Sequence, residues 1–269
     1  MTYEDVLYEN RGPATWITIN RPERRNAVRP QTYAELRDAF QRAAVDEATG
    51  FVVLTGAGAG FCAGDDFQEI FLSESRGDDR VARQLRRYRD RDEAHNPLLT
   101  EIVGCEKPVI AAVNGAAVGM GFDLAVVCDI RIASEQARFG SYFVRRGVLG
   151  TAGSYYFLPR IIGLSRAMEL ALSGALIEAA EADRIGLVSR VVVADQLVPA
   201  VEAMIQQLSW GAPLAQRAIK RVMIRGLSME WTAFDEYIAP LSDGLWSTED
   251  HMEGVTSHVE RRPPSFKGR

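Results

Sequence analysis

Two glycine-containing turns, each following an apolar run of strand length, constrain this chain more than any other feature. The first is Gly60-Phe61-Cys62-Ala63-Gly64-Asp65-Asp66-Phe67, reached from Phe51–Thr55 through the glycine-rich loop Gly56-Ala57-Gly58-Ala59-Gly60. The second is Asn114-Gly115-Ala116-Ala117-Val118-Gly119-Met120-Gly121-Phe122-Asp123, which follows the run beginning at Val109. Small residues let a ligand approach the backbone, and the first free N–H groups of a helix that follows such a turn point outward as donors. Two such groups converging on one carbonyl oxygen form an oxyanion hole, where losing a donor typically costs about 3–4 kcal/mol of transition-state stabilisation. The same spacing also fits two tight turns in a buried core.

The surrounding segments alternate strand and helix signals. Val6–Glu9 and Thr15–Asn20 read as strands joined at Arg11-Gly12-Pro13. Tyr33, Leu36, Phe40 and Ala43 recur at helical spacing within Arg29–Ala44, and Phe51–Thr55 has the length of a buried strand. A helix through Leu98, Leu99, Ile102 and Val103 stops at Lys107-Pro108, and Val109–Asn114 is the next strand. Gly115–Gly121 reads as a turn, Asp123–Val127 as a helix start and Ile130–Ala133 as a strand. From Gly150 onward helical patterns dominate: Gly153–Ile162, Ser165–Leu172, Glu178–Ile185, Ala194–Leu208, Pro213–Arg225, Glu230–Leu241 and Thr248–Val259. Strand–turn–helix units in front and helices behind predict an α/β fold.

Composition narrows the chemistry. With 269 residues, 47% of them hydrophobic and 25% charged, the chain can bury a core, which excludes a disordered one. A formal charge of −5 argues against broad binding to nucleic acid or a membrane surface. Within Ser73–Glu93, Arg80, Arg83, Arg86, Arg87, Arg89 and Arg91 are interleaved with Asp78, Asp79, Asp90 and Asp92, a balance expected of a solvated helix face or a flap over a binding site. Cys62, Cys105 and Cys128 are odd in number and widely spaced, against a disulfide framework or a C-x-x-C metal site. His95, His251 and His258 are too sparse for a multi-histidine centre, so no metal is expected. No apolar signal segment follows Met1 and no run approaches the ~18 residues of a membrane span, so a soluble cytoplasmic protein without membrane partners is expected. Gly58-x-Gly60-x-x-Ala63 fits a relaxed dinucleotide fingerprint, but its acidic ribose partner would fall inside the arginine-rich stretch.

Several motifs together resemble the crotonase, or enoyl-CoA hydratase/isomerase, superfamily. They are Thr18-Ile19-Asn20-Arg21-Pro22 with Arg25-Asn26-Ala27, Phe61-Cys62-Ala63-Gly64-x-Asp66, Lys107-Pro108-x-Ile110-Ala111-Ala112-Val113-Asn114-Gly115, and Cys128-Asp129-Ile130-Arg131-Ile132-Ala133. Phe139-Gly140, Leu158-Pro159-Arg160-Ile161-Ile162-Gly163, Gly186-Leu187-Val188 and Arg261-Arg262-x-x-x-Phe266-x-Gly268-Arg269 continue the resemblance in the family's order. The resemblance implies a ββα spiral core over residues 1–195 that binds acyl-CoA, then a C-terminal helical trimerisation region over 196–269, assembled as homotrimers or homohexamers. It implies no tightly bound cofactor, coenzyme A arriving as part of the thioester substrate. The backbone N–H groups of Asp65 and Met120 fall on the oxyanion donors that hold the thioester oxygen as it becomes an enolate. Arg25, Ala27, Ala63, Asp66 and Phe67 fall near the adenine and pantetheine contacts, and Phe266 and Lys267 on C-terminal residues near the nucleotide, of the same or a neighbouring subunit.

The departures bear on the reaction. The family's hydratases flank the substrate with two glutamates; the first position is Asp123 here and the second is Phe143, which can neither activate water nor donate a proton. The aspartate that other branches place further along is Thr151. One carboxylate can shuttle one proton between two carbons of a dienolate, whereas syn hydration is most readily explained by two. The expected activity is isomerisation or an atypical hydration, with Asp123 as acid/base. The alternative is a catalytically weakened acyl-CoA-binding or RNA-binding member of the fold, in which Asp123 caps a helix or pairs with Arg145 or Arg146. Phe122, Tyr142, Phe143, Tyr155 and Tyr156 crowd the expected acyl end, where Tyr142 or Tyr156 offers a second proton donor.

Overall fold

The computed structural model describes residues 2–72, 97–151 and 153–269, so the arginine-rich stretch Ser73–Glu93 lies outside the described residues. The chain forms two compact units, one of Met1–Cys105 with Val109–Val201 and one of Glu106–Pro108 with Glu202–Arg269.

The first unit opens on a hairpin, β1 (Val6–Arg11) and β2 (Ala14–Ile19), paired antiparallel across Gly12-Pro13. Every residue of β2 is buried, which is why its apolar and β-branched side chains run without a polar face. Helix α1 (Pro30–Val45) has proline in its first turn, where a missing N–H costs nothing, and buries Leu36, Ala39, Phe40 and Ala43. The parallel strands β3 (Phe51–Gly56), β4 (Val109–Val113), β6 (Ile130–Ser134) and β9 (Arg190–Val192) complete a six-stranded sheet in the order β1-β2-β3-β4-β6-β9. A second sheet pairs β5 (Ala116–Val118), β7 (Arg138–Gly140) and β8 (Ile177–Glu178). Successive stretches of chain thus give one strand to each sheet, β4 then β5, β6 then β7, β8 then β9.

Helices fill the intervals: α2 (Pro97–Gly104), α3 (Met120–Val127), α4 (Leu158–Ile162), α5 (Leu164–Ser173) and α6 (Ala179–Arg184). Trp16, Phe40, Phe61, Phe122 and Phe139 are among the largest fully buried side chains. Helix α7 (Leu197–Leu208) contains the boundary between the units. The second unit adds α8 (Pro213–Gly226), α9 (Trp231–Trp246) and α10 (Glu249–Glu260). Thr248 caps α10 by accepting from the His251 N–H at 3.1 Å. Asp250 in its first turn accepts the main-chain N–H groups of Lys267 at 2.6 Å and Gly268 at 2.8 Å. No described helix is long and apolar enough to cross a membrane.

The α/β expectation holds, with local corrections. Gly115–Gly121 is not all turn, because Ala116–Val118 pairs with β7 in a strand too short to show alternation. The following helix starts at Met120 rather than at Asp123. The stretch expected as one helix over Gly153–Ile162 begins as a π-helical segment, Gly153–Phe157, before α4. The strands β7, β8 and β9 escape a sequence reading because each has only two or three residues.

The junction of α3 with the first glycine turn is packed main chain to main chain. A Cβ on Gly121 would collide with the carbonyl oxygen of Cys62, a main-chain atom that cannot swing aside. Gly121→Ala is expected to destabilise the protein by about 1–3 kcal/mol, the usual cost of overpacking, read from urea unfolding monitored by circular dichroism.

Candidate active site

Two asparagines fix the glycine loop. Asn26 Nδ2 donates to the carbonyl oxygens of Ala57 at 2.9 Å and Gly60 at 2.7 Å, while Asn114 Nδ2 donates to those of Gly56 and Gly58, each at 2.9 Å. Beyond the loop the chain is stitched to its neighbours through the main chain. The Cys62 N–H donates to Ala116 O at 2.9 Å and the Val118 N–H to Cys62 O at 3.0 Å. On the other side the Val28 N–H donates to Gly64 O and the Asp66 N–H to Val28 O, both at 2.8 Å. Because Gly64 O and Asp66 N make that pairing, the Asp65 N–H between them is turned away from Val28. Gly64 sits at φ +98°, and a Cβ there would lie 2.9 Å from Val118 O, so the first turn requires glycine twice over.

A cavity of about 490 Å³ opens against this seam. Asp65 and Met120, from the two separate turns, both line it, together with Phe67, Tyr142 and Phe143. The ring of Phe143 comes within 3.9 Å of the Cβ position of Gly119, beside Met120. Arg25, Arg138 and Arg146 also line the cavity; the Arg146 guanidinium lies over Phe67 at 4.6 Å and near Tyr142 at 5.5 Å, and Arg138 bonds Glu178 at 3.1 Å. Tyr142 itself is held at φ +54°, an uncommon setting for a bulky residue.

Asp123 lies one turn beyond Met120 on α3, fully buried, and is not among the cavity-lining residues. Its Oδ1 accepts from the Ser154 N–H at 2.9 Å and from the Ser154 hydroxyl, and its Oδ2 accepts from the Thr151 hydroxyl. The partners are therefore two hydroxyl residues and not Arg145 or Arg146. Burial pushes the Asp123 carboxyl up to about 6, and the Ser154 and Thr151 hydrogen bonds hold it from rising further.

Of the other residues expected near coenzyme A, Arg25, Ala63 and Phe67 line the cavity. Ala27 and Asp66 lie behind it: Arg21 donates to both, reaching Asp66 at 3.2 Å in a buried pair. Phe266 and Lys267 belong to the second unit, where Phe266 lines another cavity of about 600 Å³ with residues of α8, α9 and α10. Tyr155 and Tyr156 do not line the first cavity; Tyr155 Oη accepts the Gly150 N–H at 3.1 Å, and Tyr156 stacks under Arg160 at 3.9 Å. Sequence reasoning missed Tyr33, whose hydroxyl donates to Asp65 Oδ1 at 2.6 Å.

Residues 10–269 match the model of the enoyl-CoA hydratase/isomerase family. The chain belongs to that family. A probable enoyl-CoA hydratase of Rhizobium meliloti is 37% identical over the whole of both chains. An (E)-benzylidenesuccinyl-CoA hydratase of Thauera aromatica is 35% identical, over 98% of this chain and 99% of its own. Among solved structures, a putative enoyl-CoA hydratase from Streptomyces coelicolor A3(2) superposes with a TM-score of 0.90 at 32% identity, over 100% of this chain and 96% of that one. The α/β architecture is accordingly the crotonase fold.

In this member of the enoyl-CoA hydratase/isomerase family, Asp123 ties stability to pH. Its folded pKa, about 6, lies above the unfolded 3.8, so its contribution is complete below about pH 4 and is lost as pH rises through 6. From pH 4 to pH 7 the stability of Asp123→Asn is expected to improve by about 2 kcal/mol relative to the unsubstituted protein, measured by denaturant titration at each pH.

Proposed function

We propose that the cavity binds an acyl-CoA thioester and carries out proton transfer on its enolate, most simply migration of a double bond. The observation that carries this reading is the cavity wall on which Asp65 and Met120 meet beside Phe143. The two main-chain N–H groups receive the thioester oxygen, and fixed dipoles of this kind stabilise the charge as it develops without reorganising. Arg25 and Arg146 offer positive charge to the phosphates of coenzyme A, and Ala63 permits close approach of the pantetheine.

Asp123 accepts the α-proton. A carboxyl with a pKa of about 6 is ionised at neutral pH yet close enough to it to return the proton. Because both its oxygens are engaged by Ser154 and Thr151, this role requires the carboxylate to leave one of those partners when substrate enters. Phe143 keeps water from the position where a second acid would activate it, which favours isomerisation over hydration. No tightly bound cofactor takes part. Trp231, Trp246 and Val259 expose apolar surface in the second unit, which supports a homotrimer or a homohexamer.

With a 3-enoyl-CoA and the matching 2-enoyl-CoA as substrates, isomerisation is expected to outpace hydration, and Asp123→Asn is expected to lower it by about 10²–10⁴-fold. Faster hydration would overturn the isomerase preference. Thioester binding without turnover of either substrate would favour a weakened binding member of the fold.

A further inference from the structure

Among the described residues that line the cavity, Asp65 carries the one carboxyl group. Its side chain is half-buried and tethered, with Oδ1 receiving the Tyr33 hydroxyl at 2.6 Å from α1. Asp123, by contrast, is buried and reaches substrate only by leaving Ser154 or Thr151. We infer that Asp65 works through its side chain as well as its main chain, its carboxyl being the acid that delivers a proton to the acyl group held in the cavity. The inference rests on the acyl-CoA reading and deepens it.

The division of labour keeps Asp123 as the base once it has left Ser154 or Thr151, and gives the second transfer to the carboxyl already on the cavity wall. Asp123 takes the α-proton: the C–H bond breaks, an O–H bond forms on Asp123, and the electron pair passes into the dienolate whose oxygen the Asp65 and Met120 N–H groups hold. Asp65 then gives up its proton to the γ-carbon: its O–H bond breaks and the new C–H bond takes its pair from the dienolate. The Asp65 carboxylate left behind is held by the Tyr33 hydroxyl, and both acids return to their starting states by proton exchange with solvent after product leaves. Burial raises the Asp65 carboxyl above its usual range, against the opposing hydrogen bond from Tyr33. The titratable groups that face this pair are Cys62, whose thiol burial pushes up to about 12, and Asp123, whose field reaches the Tyr33 hydroxyl. Arg25, Arg138 and Arg146 line the same cavity. Tyr33 is a positioning residue here, acting through Asp65.

The test separates the two proton transfers. Exchange of α-hydrogen for deuterium in a saturated thioester, hexanoyl-CoA in D2O, needs only the base, whereas isomerisation of 3-hexenoyl-CoA needs base and acid. In Asp65→Asn, which keeps the main-chain donor, the ratio of isomerisation to exchange is expected to fall at least about 100-fold, the usual scale of a general acid. Asp65→Glu is expected to recover part of it. In Tyr33→Phe the loss of the stabilising hydrogen bond raises the Asp65 pKa, so the descending limb of the isomerisation pH profile moves to higher pH. Exchange and isomerisation falling in parallel in Asp65→Asn, isomerisation staying within about threefold of the unsubstituted protein, or an unmoved limb in a folded Tyr33→Phe would overturn the assignment. Absence of both reactions in the unsubstituted protein would overturn the proton-transfer reading and this inference with it.

Discussion

The hydrogen bonds that Cys62 exchanges with Ala116 and Val118 are the constraint on which the rest of the first unit depends. They lock two distant stretches of chain in register, and the Val28 pairing adds a third. Once these are formed, Asp65 and Met120 have no freedom to drift apart, because each sits one or two residues from a main-chain bond in the seam. Side chains could not hold two N–H donors so firmly, since a rotamer change would dissolve the site; a backbone ladder resists it. The price is strict geometry at the seam: Gly64 and Gly121 stand where any side chain would strike a carbonyl.

Much of this was legible in the sequence, for physical reasons that differ by element. Helix α1 showed itself because Leu36, Phe40 and Ala43 face one core, and the parallel strands because they are buried on both sides. The two turns announced close approach through their small residues. The strand β5 did not, since three residues, two half-buried and one buried, carry no usable period. Tyr33 hid inside the helical pattern of α1, where an aromatic reads as core until its hydroxyl is found beside Asp65. The enclosure of Asp123 was equally silent, as Ser154 is 31 residues away in sequence and its hydroxyl resembles any other.

The buried acids of the first unit are stabilised in two different ways. Asp66 and Asp5 lie against cations, Asp66 beside Arg21 and Asp5 beside Arg29. Burial pushes Asp5 upward, but Arg29, Thr32 and Arg21 outweigh it and leave that carboxyl below its usual range. Asp123 has hydroxyl and amide donors and no guanidinium, so desolvation dominates. Ion pairs hold Asp66 and Asp5 in the frame, while Asp123, without a cation, retains a proton affinity that chemistry near neutrality can use.

At the far end of the chain, Asp250 gathers the main chain of Lys267 and Gly268 onto the first turn of α10, and Arg262 grips Glu253 on the same helix. Lys267 and Gly268 therefore brace the helix from outside it. A pull on Lys267 or Gly268 would be felt in the first turn of α10, through the Asp250 carboxylate.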